Sequence, residues 1–167
     1  MLQLPIYDGL RLRLGTLNDL QEVMELAIAA AKENSLFDCS AAHLVRTIYP
    51  CLNLDKGMVG CIGKDGGPIE GMVVLVIGTL HYSDSLCVEE RTLYVRPEFR
   101  NAKGGRANKL VQFSKSAAEK LGLPLLIGVL SNDSTKQKIS LYKRLLGEPA
   151  GAFWVSGAKT GGHEVTQ

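Results

Sequence analysis

The sequence predicts a mixed α/β domain: a central, mostly antiparallel sheet with one parallel pair, and helices on both faces. Three observations carry this expectation. Three strand-like runs, GMVGCIGK (57–64), IEGMVVLVIG (69–78) and LCVEERTLYV (86–95), follow one another with short connections, which makes antiparallel neighbours of them. The last run leads through a helix-like stretch into a further apolar run, LPLLIGVL (123–130), and a strand–helix–strand passage of this kind predicts a parallel pair with a right-handed crossover. Upstream, apolar residues recur at three- and four-residue spacing, as on a helix that covers a sheet.

Taken in order, LRLRL (10–14) alternates like a half-buried strand. Thr16 offers a cap for a helix over 17–34, whose stripe is Leu17, Leu20, Val23, Met24, Ala27, Ile28 and Ala31. A second helix spans Ser40 to about Leu52, with Pro50 interrupting its end. The strands 57–64 and 69–78 are joined by DGGP, a hairpin turn. After the strand 86–95, a helix from about Gly104 to Leu121 turns Ala107, Leu110, Val111, Ala118 and Leu121 inward and stops at Gly122. The continuous apolar run 123–130 reads as a strand covered on both faces. A last helix, Thr135 to Leu146, and a strand AFWVSGAK (152–159) complete the order β-α-α-β-β-β-α-β-α-β. One domain is expected over 1–160, with 161–167 a flexible tail.

At 167 residues the chain can bury a core without staples, and its 46% hydrophobic and 22% charged residues are those of a soluble protein. A net charge of +2 gives no reason to expect nucleic acid or membrane as a partner. The run GMVVLVIGTL (71–80) is about half of the roughly 20 residues that span a bilayer. With no signal-peptide pattern at the N-terminus, a cytoplasmic location is expected. Cys39, Cys51, Cys61 and Cys87 form no close pair and His43, His81 and His163 are scattered, so no metal site is expected and the thiols read as small hydrophobes.

The junction VRPEFRNAKGGRANKL (95–110) is richer than a bend needs. It holds Arg96, Arg100, Lys103, Arg106 and Lys109 against one acid, Glu98. Pro97 stiffens the exit from the strand, and Gly104 and Gly105 clear side chains from the start of a helix. Open amide hydrogens, the positive end of the helix dipole and nearby cations make an anion site, with a pyrophosphate the natural occupant. A glycine-rich turn with a solvated basic face is the plainer alternative. Neither GxxxxGK[ST] nor GxGxxG is present.

The stretch LYVRPEFRNAKGGRANKLVQFSKSAAEKLG resembles the acetyl-CoA-binding motif of the GNAT N-acetyltransferase superfamily, in which a strand leads to Arg/Gln-x-x-Gly-x-Gly/Ala and then a helix. Arg100 matches the first position, Gly105 the last, and Arg106 and Ala107 the residues that follow, while Lys103 stands where the middle glycine is expected and Gly104 lies beside it. SLYKRLLG (140–147) resembles the family's late Leu-Tyr-x-x-x-Gly helix and supplies Leu141 and Tyr142. The likeness covers about residues 10 to 147; after Gly147 one strand is left where the family has two.

This resemblance implies transfer of an acetyl group from acetyl-CoA to an amine, on a small molecule or a protein, by a monomer or homodimer. An alkyl ammonium, with a pKa of about 10.4, must first lose a proton, which a carboxylate can take. Glu89 matches the family's glutamate by position, and Glu90 takes its place if a bulge shifts the alternation; the plainer reading is two edge-of-sheet charges, one paired to Arg91. Tyr142 is placed by motif to protonate the leaving thiolate, or else is a core tyrosine. The family's oxyanion would be held by strand N–H groups near Leu93 to Val95; in the family this strand splays from the next one, pantetheine fills the gap, and Asn132 would hydrogen-bond that arm. His43 and His81 fall where the family lines its acceptor cleft. A silent GNAT-fold CoA-binding or phage-associated protein is the first alternative, and an ATP-binding α/β domain the second.

Overall fold

The computed structural model describes residues 9–34, 36–130, 135–157 and 165–166. A five-stranded sheet runs in the order β1-β3-β4-β5-β6, where β1 is Leu10–Leu14, β3 Gly57–Lys64, β4 Ile69–Thr79, β5 Leu86–Val95 and β6 Leu125–Ile127. All neighbours are antiparallel except β5 and β6, the parallel pair the strand–helix–strand passage calls for. Between β3 and β4, Gly67 N–H closes the DGGP turn on Lys64 O at 3.0 Å, with Gly66 at φ 70°.

Helices α1 (Leu20–Asn34) and α2 (Ala41–Leu52) cover one face of the sheet, and α3 (Arg106–Leu121) the other, with α4 (Thr135–Leu146) beside α3. The first layer joins Val23, Leu26 and Ala27 of α1 and Ile48 of α2 to Met72 and Val74 of β4. The second joins Leu110, Phe113, Ala117 and Ala118 to Ile62, Val73, Leu75 and Val88. Phe113 reaches the sheet where Gly60 has no side chain; a Cβ there would come within 2.7 Å of the ring. Cys39, Cys51 and Cys61 are buried free thiols, and burial pushes the Cys51 thiol up to about 11 and that of Cys61 to about 12.

Several expectations are corrected. The first helix starts as a 3₁₀ turn, Leu17–Asp19, in which Asp19 caps Thr16 N–H and binds Arg13, leaving Leu17 exposed. Leu121 also points to solvent, because Gly122 at φ 66° closes the helix immediately after it. The run 123–130 is not a strand covered on both faces: only Leu125–Ile127 pairs, and it forms the sheet's edge, with Leu126 and Leu130 exposed. No strand forms over the described part of 152–159, where Phe153 and Trp154 are exposed. A feature without a sequence signal is the two-residue parallel ladder between β2 (Cys39–Ser40) and β7 (Val165–Thr166).

Candidate active site

Strand β5 is zipped to β4 along its whole length but to β6 only at Val88, Glu89 and Glu90. Beyond Glu90 the two parallel neighbours separate, and a cavity of about 230 Å³ opens between β5 and residues 128–130, closed by α1 and α4. The separation coincides with a bulge. Val74 lies opposite Thr92 but Leu75 opposite Glu90, so Arg91 is an extra residue in β5. The bulge reverses the alternation: Val88 and Glu90 face α3, whereas Thr92 and Tyr94 face α1 and α2. It also sets the backbone. Arg96 N–H donates to Glu70 O on β4 at 2.9 Å, so alternation turns the N–H groups of Val95 and Leu93 away from β4 and into the gap.

Glu90 is the bulge's first consequence. Its carboxylate is buried, accepts a hydrogen bond from the Tyr142 hydroxyl of α4, and lies 3.4 Å from the Ser114 hydroxyl of α3. Burial raises its pKa to about 7, against the pull of the two hydroxyls and of Lys138. Burial likewise raises the Tyr142 hydroxyl, helped by the negative charge of Glu90. Both residues line the cavity. Glu89 points to the other face of the sheet, opposite Val76, and its carboxylate holds Arg91 at 2.9 Å. The structure therefore brings Tyr142 and Glu90 together and sets Glu89 apart.

At the junction, the positive φ values fall on Gly104 (110°) and Gly105 (55°), whereas Leu54 is the one described non-glycine residue with positive φ. Lys103 thus stands at the family's glycine position without needing the glycine conformation, because Gly104 adopts it. Gly104 also passes under Leu10: a Cβ would meet its Cδ1 at 2.4 Å. Gly105 caps α3, and the N–H groups from Gly105 to Asn108 precede the first helical bond, Lys109 N–H to Gly105 O. Ala107 packs its methyl against the α3 layer.

The junction's arginines are not the free positive field their number suggests. Arg96 binds Glu22 of α1 at 3.3 Å and Ile69 O, Arg100 binds Glu33 of α1 and Val95 O, and Arg106 is buried on Glu70 of β4. Arg106 also donates to Lys103 O at 2.9 Å and lies over the Phe99 ring, so it pins the loop to the sheet and adds no exposed charge there. Sequence spacing could not reveal these acids, which sit 67 to 74 residues upstream for Arg100 and Arg96. Glu70 owes its buried position to a second bulge, where Ile62 pairs Gly71 but Gly63 pairs Ile69.

Two cavity residues carry no motif. Asn34, at the end of α1, donates to Leu130 O at 2.6 Å, while its buried Oδ1 has no partner among the described residues. Lys138 lies one turn before Tyr142, and burial lowers its pKa. Asn132 lies outside the described residues. His43 lines a second cavity on the α2 side; His81 stacks edge-on with Tyr82 and lines neither. Among the described residues no group of three potential metal ligands gathers, and no helix is long and apolar enough to cross a membrane.

Neither a family model nor a curated protein matches the chain by sequence. Solved structures do match by shape. AAC(6')-Iy, in complex with the bisubstrate analogue CoA-S-monomethyl-acetylneamine, superposes with a TM-score of 0.66 at 18% identity, over 90% of this chain and 98% of that one. The chain has the GNAT acetyltransferase fold. The aminoglycoside 6'-N-acetyltransferase AAC(6')-Ih from Acinetobacter baumannii matches at TM-score 0.65 and 14% identity, covering 92% of this chain and 100% of that one. A ribosomal-protein-alanine N-acetyltransferase from Brucella melitensis biovar Abortus 2308 matches at 0.60 and 19%, covering 90% and 97%. Within the GNAT fold, a gap between two parallel strands is the place where the resemblance puts the pantetheine arm.

Proposed function

We propose that the chain is an N-acetyltransferase that moves the acetyl group of acetyl-CoA to an amine by direct attack. The observation that carries this reading is the Tyr142–Glu90 pair standing in the gap that Leu93 also lines. The gap suits the cofactor's arm: the unpartnered Asn34 Oδ1 is an acceptor that an amide N–H of pantetheine would satisfy. The leading turn of α3, with Gly105 lacking a side chain, suits a diphosphate. Arg100 and Arg106 then serve by holding the loop, and Lys103 is the cation placed to reach an anion there. Ala107 and Gly104 keep the turn small.

Acetyl-CoA supplies the activated acyl group. The N–H groups of Leu93 and Val95 are aimed to donate to its carbonyl oxygen as negative charge grows there. Glu90 takes the part that strand spacing alone divides between Glu89 and Glu90. With a pKa of about 7 it is half ionised near neutrality, which suits a group that both accepts and returns a proton. It takes a proton from the ammonium, directly or through water. Tyr142 gives its own proton to the departing sulfur and recovers one from Glu90, so the pair ends as it began; the ammonium's other surplus proton goes to solvent.

The test is release of free CoA from acetyl-CoA on a panel of amines. Turnover that falls about a hundredfold in Tyr142→Phe, with acetyl-CoA affinity held within a few-fold, is the expected result. Tight CoA binding without turnover on any amine would replace this reading with a silent CoA-binding protein. No CoA binding at all would remove the coenzyme from the account.

A further inference from the structure

A second cavity, of about 460 Å³, lies on the α2 face and shares Leu44, Arg91 and Thr92 with the first. It is therefore the side from which an acceptor would meet the acetyl group, and here the inference rests on the transferase reading. Its floor is apolar, made of Ile48, Val74 and Val76. Its rim carries Arg46, Lys56, Arg91 and His43, and among the described residues no aspartate or glutamate lines it.

These side chains arrive from three separate elements. His43, Arg46 and Pro50 follow one another at three- and four-residue spacing, which lays them along one face of α2. Lys56 comes from the turn into β3, and Arg91 is the bulged residue of β5, which no regular strand would place there. Arg91 is partly answered by Glu89 on its flank. Arg46 and Lys56 differ from the junction's arginines: among the described residues neither side chain has an ion pair or hydrogen bond, although the Lys56 carbonyl accepts from Ile77 N–H. Unpaired cations converging on an apolar floor suit an anionic guest and repel a polycation.

We propose that the acceptor is a small amine that itself carries an anionic group, a phosphate or a carboxylate, which Arg46, Lys56 and Arg91 hold while the amine faces Glu90. Aminoglycosides and polyamines, which bring further positive charge, are the wrong substrates for this cleft.

Matched pairs test the idea: glucosamine 6-phosphate against glucosamine for phosphate, L-glutamate against L-glutamine for carboxylate, and spermidine as the polycation. The expected result is at least a tenfold higher kcat/KM for the anionic member of one pair, naming its source, with spermidine the poorest. Arg46→Glu should invert that ratio and Lys56→Gln should shrink it several-fold, with the KM for acetyl-CoA moving less than either. Equal rates within both pairs, or a preference for spermidine, would overturn the anionic assignment and leave the transferase reading standing. In a protein that turns over none of these amines, titrating the same pairs into it with and without CoA decides the cleft. Tighter binding of an anionic member, lost in Arg46→Glu, supports the proposal, and no difference ends it.

Discussion

Two buried glutamates, each set by a bulge, divide the molecule's labour. Glu70 sits at the β4 bulge against the Arg106 guanidinium, which is also buried, stacked over Phe99 and bonded to the loop. Glu90 sits at the β5 bulge against two neutral hydroxyls, Tyr142 and Ser114. The same side chain is a structural pin where it is bonded to a guanidinium, and a carboxyl with a pKa raised to about 7 where burial meets only hydroxyl partners. The difference lies in the partner, since burial is common to both.

Breaking the first pair should have the largest effect. Glu70→Ala leaves a buried guanidinium uncompensated and should cost about 3–5 kcal/mol, read from urea unfolding. A loss below 1 kcal/mol would mean that water reaches Arg106 and the two glutamates are less alike than they look. Next comes the pH dependence of stability. A carboxyl raised from 4.5 to about 7 holds a proton in the folded chain that the unfolded chain has released. Stability should therefore fall as pH rises through that window, by about 3 kcal/mol for a shift of this size. Glu90→Gln should flatten the slope between pH 5 and 8; a wild-type slope in Glu90→Gln would assign the titration elsewhere.

Catalysis gives the third contrast. Tyr142→Phe, with its roughly hundredfold loss of turnover, corresponds to about 2.7 kcal/mol, and wild-type rates would reduce the tyrosine to packing. Smaller still is Gly105→Val, which forces a β-branched residue to φ 55° at a cost of about 1–2 kcal/mol. A Cβ there meets only Asn108 at 3.7 Å, so the chain should still fold. CoA affinity measured by calorimetry should drop at least tenfold; unchanged affinity would detach the loop from the coenzyme. Lys103→Gly should alter stability by no more than about 1 kcal/mol, the ordinary entropy cost of a glycine, because Gly104 already supplies the left-handed residue.

Much of the fold was legible because it rests on local periodicity. The alternation in LRLRL, the helical stripe around Val23 and Ala27, and the Gly-rich turns at 66–67 and 104–105 are properties of neighbours in sequence. Tyr142 and the glycine turn stand in local motifs for the same reason. The choice between Glu89 and Glu90 was not legible: it turns on one extra residue in β5, visible only when Val74 and Leu75 are set against their partners. Nor was the edge position of β6, since an apolar run looks the same whether a sheet continues beyond it or stops.

The chain's own letters thus determined the longer strands and helices from Leu10 to Leu146 and the turn before α3. Tertiary structure alone decided which acids the junction's arginines bind, which glutamate shares a cavity with Tyr142, and that the Arg46 and Lys56 side chains lie beside an apolar floor with no partner among the described residues. Periodicity reports on contacts a few residues apart, whereas charge pairing and burial are settled by groups that meet only after the sheet has closed over them.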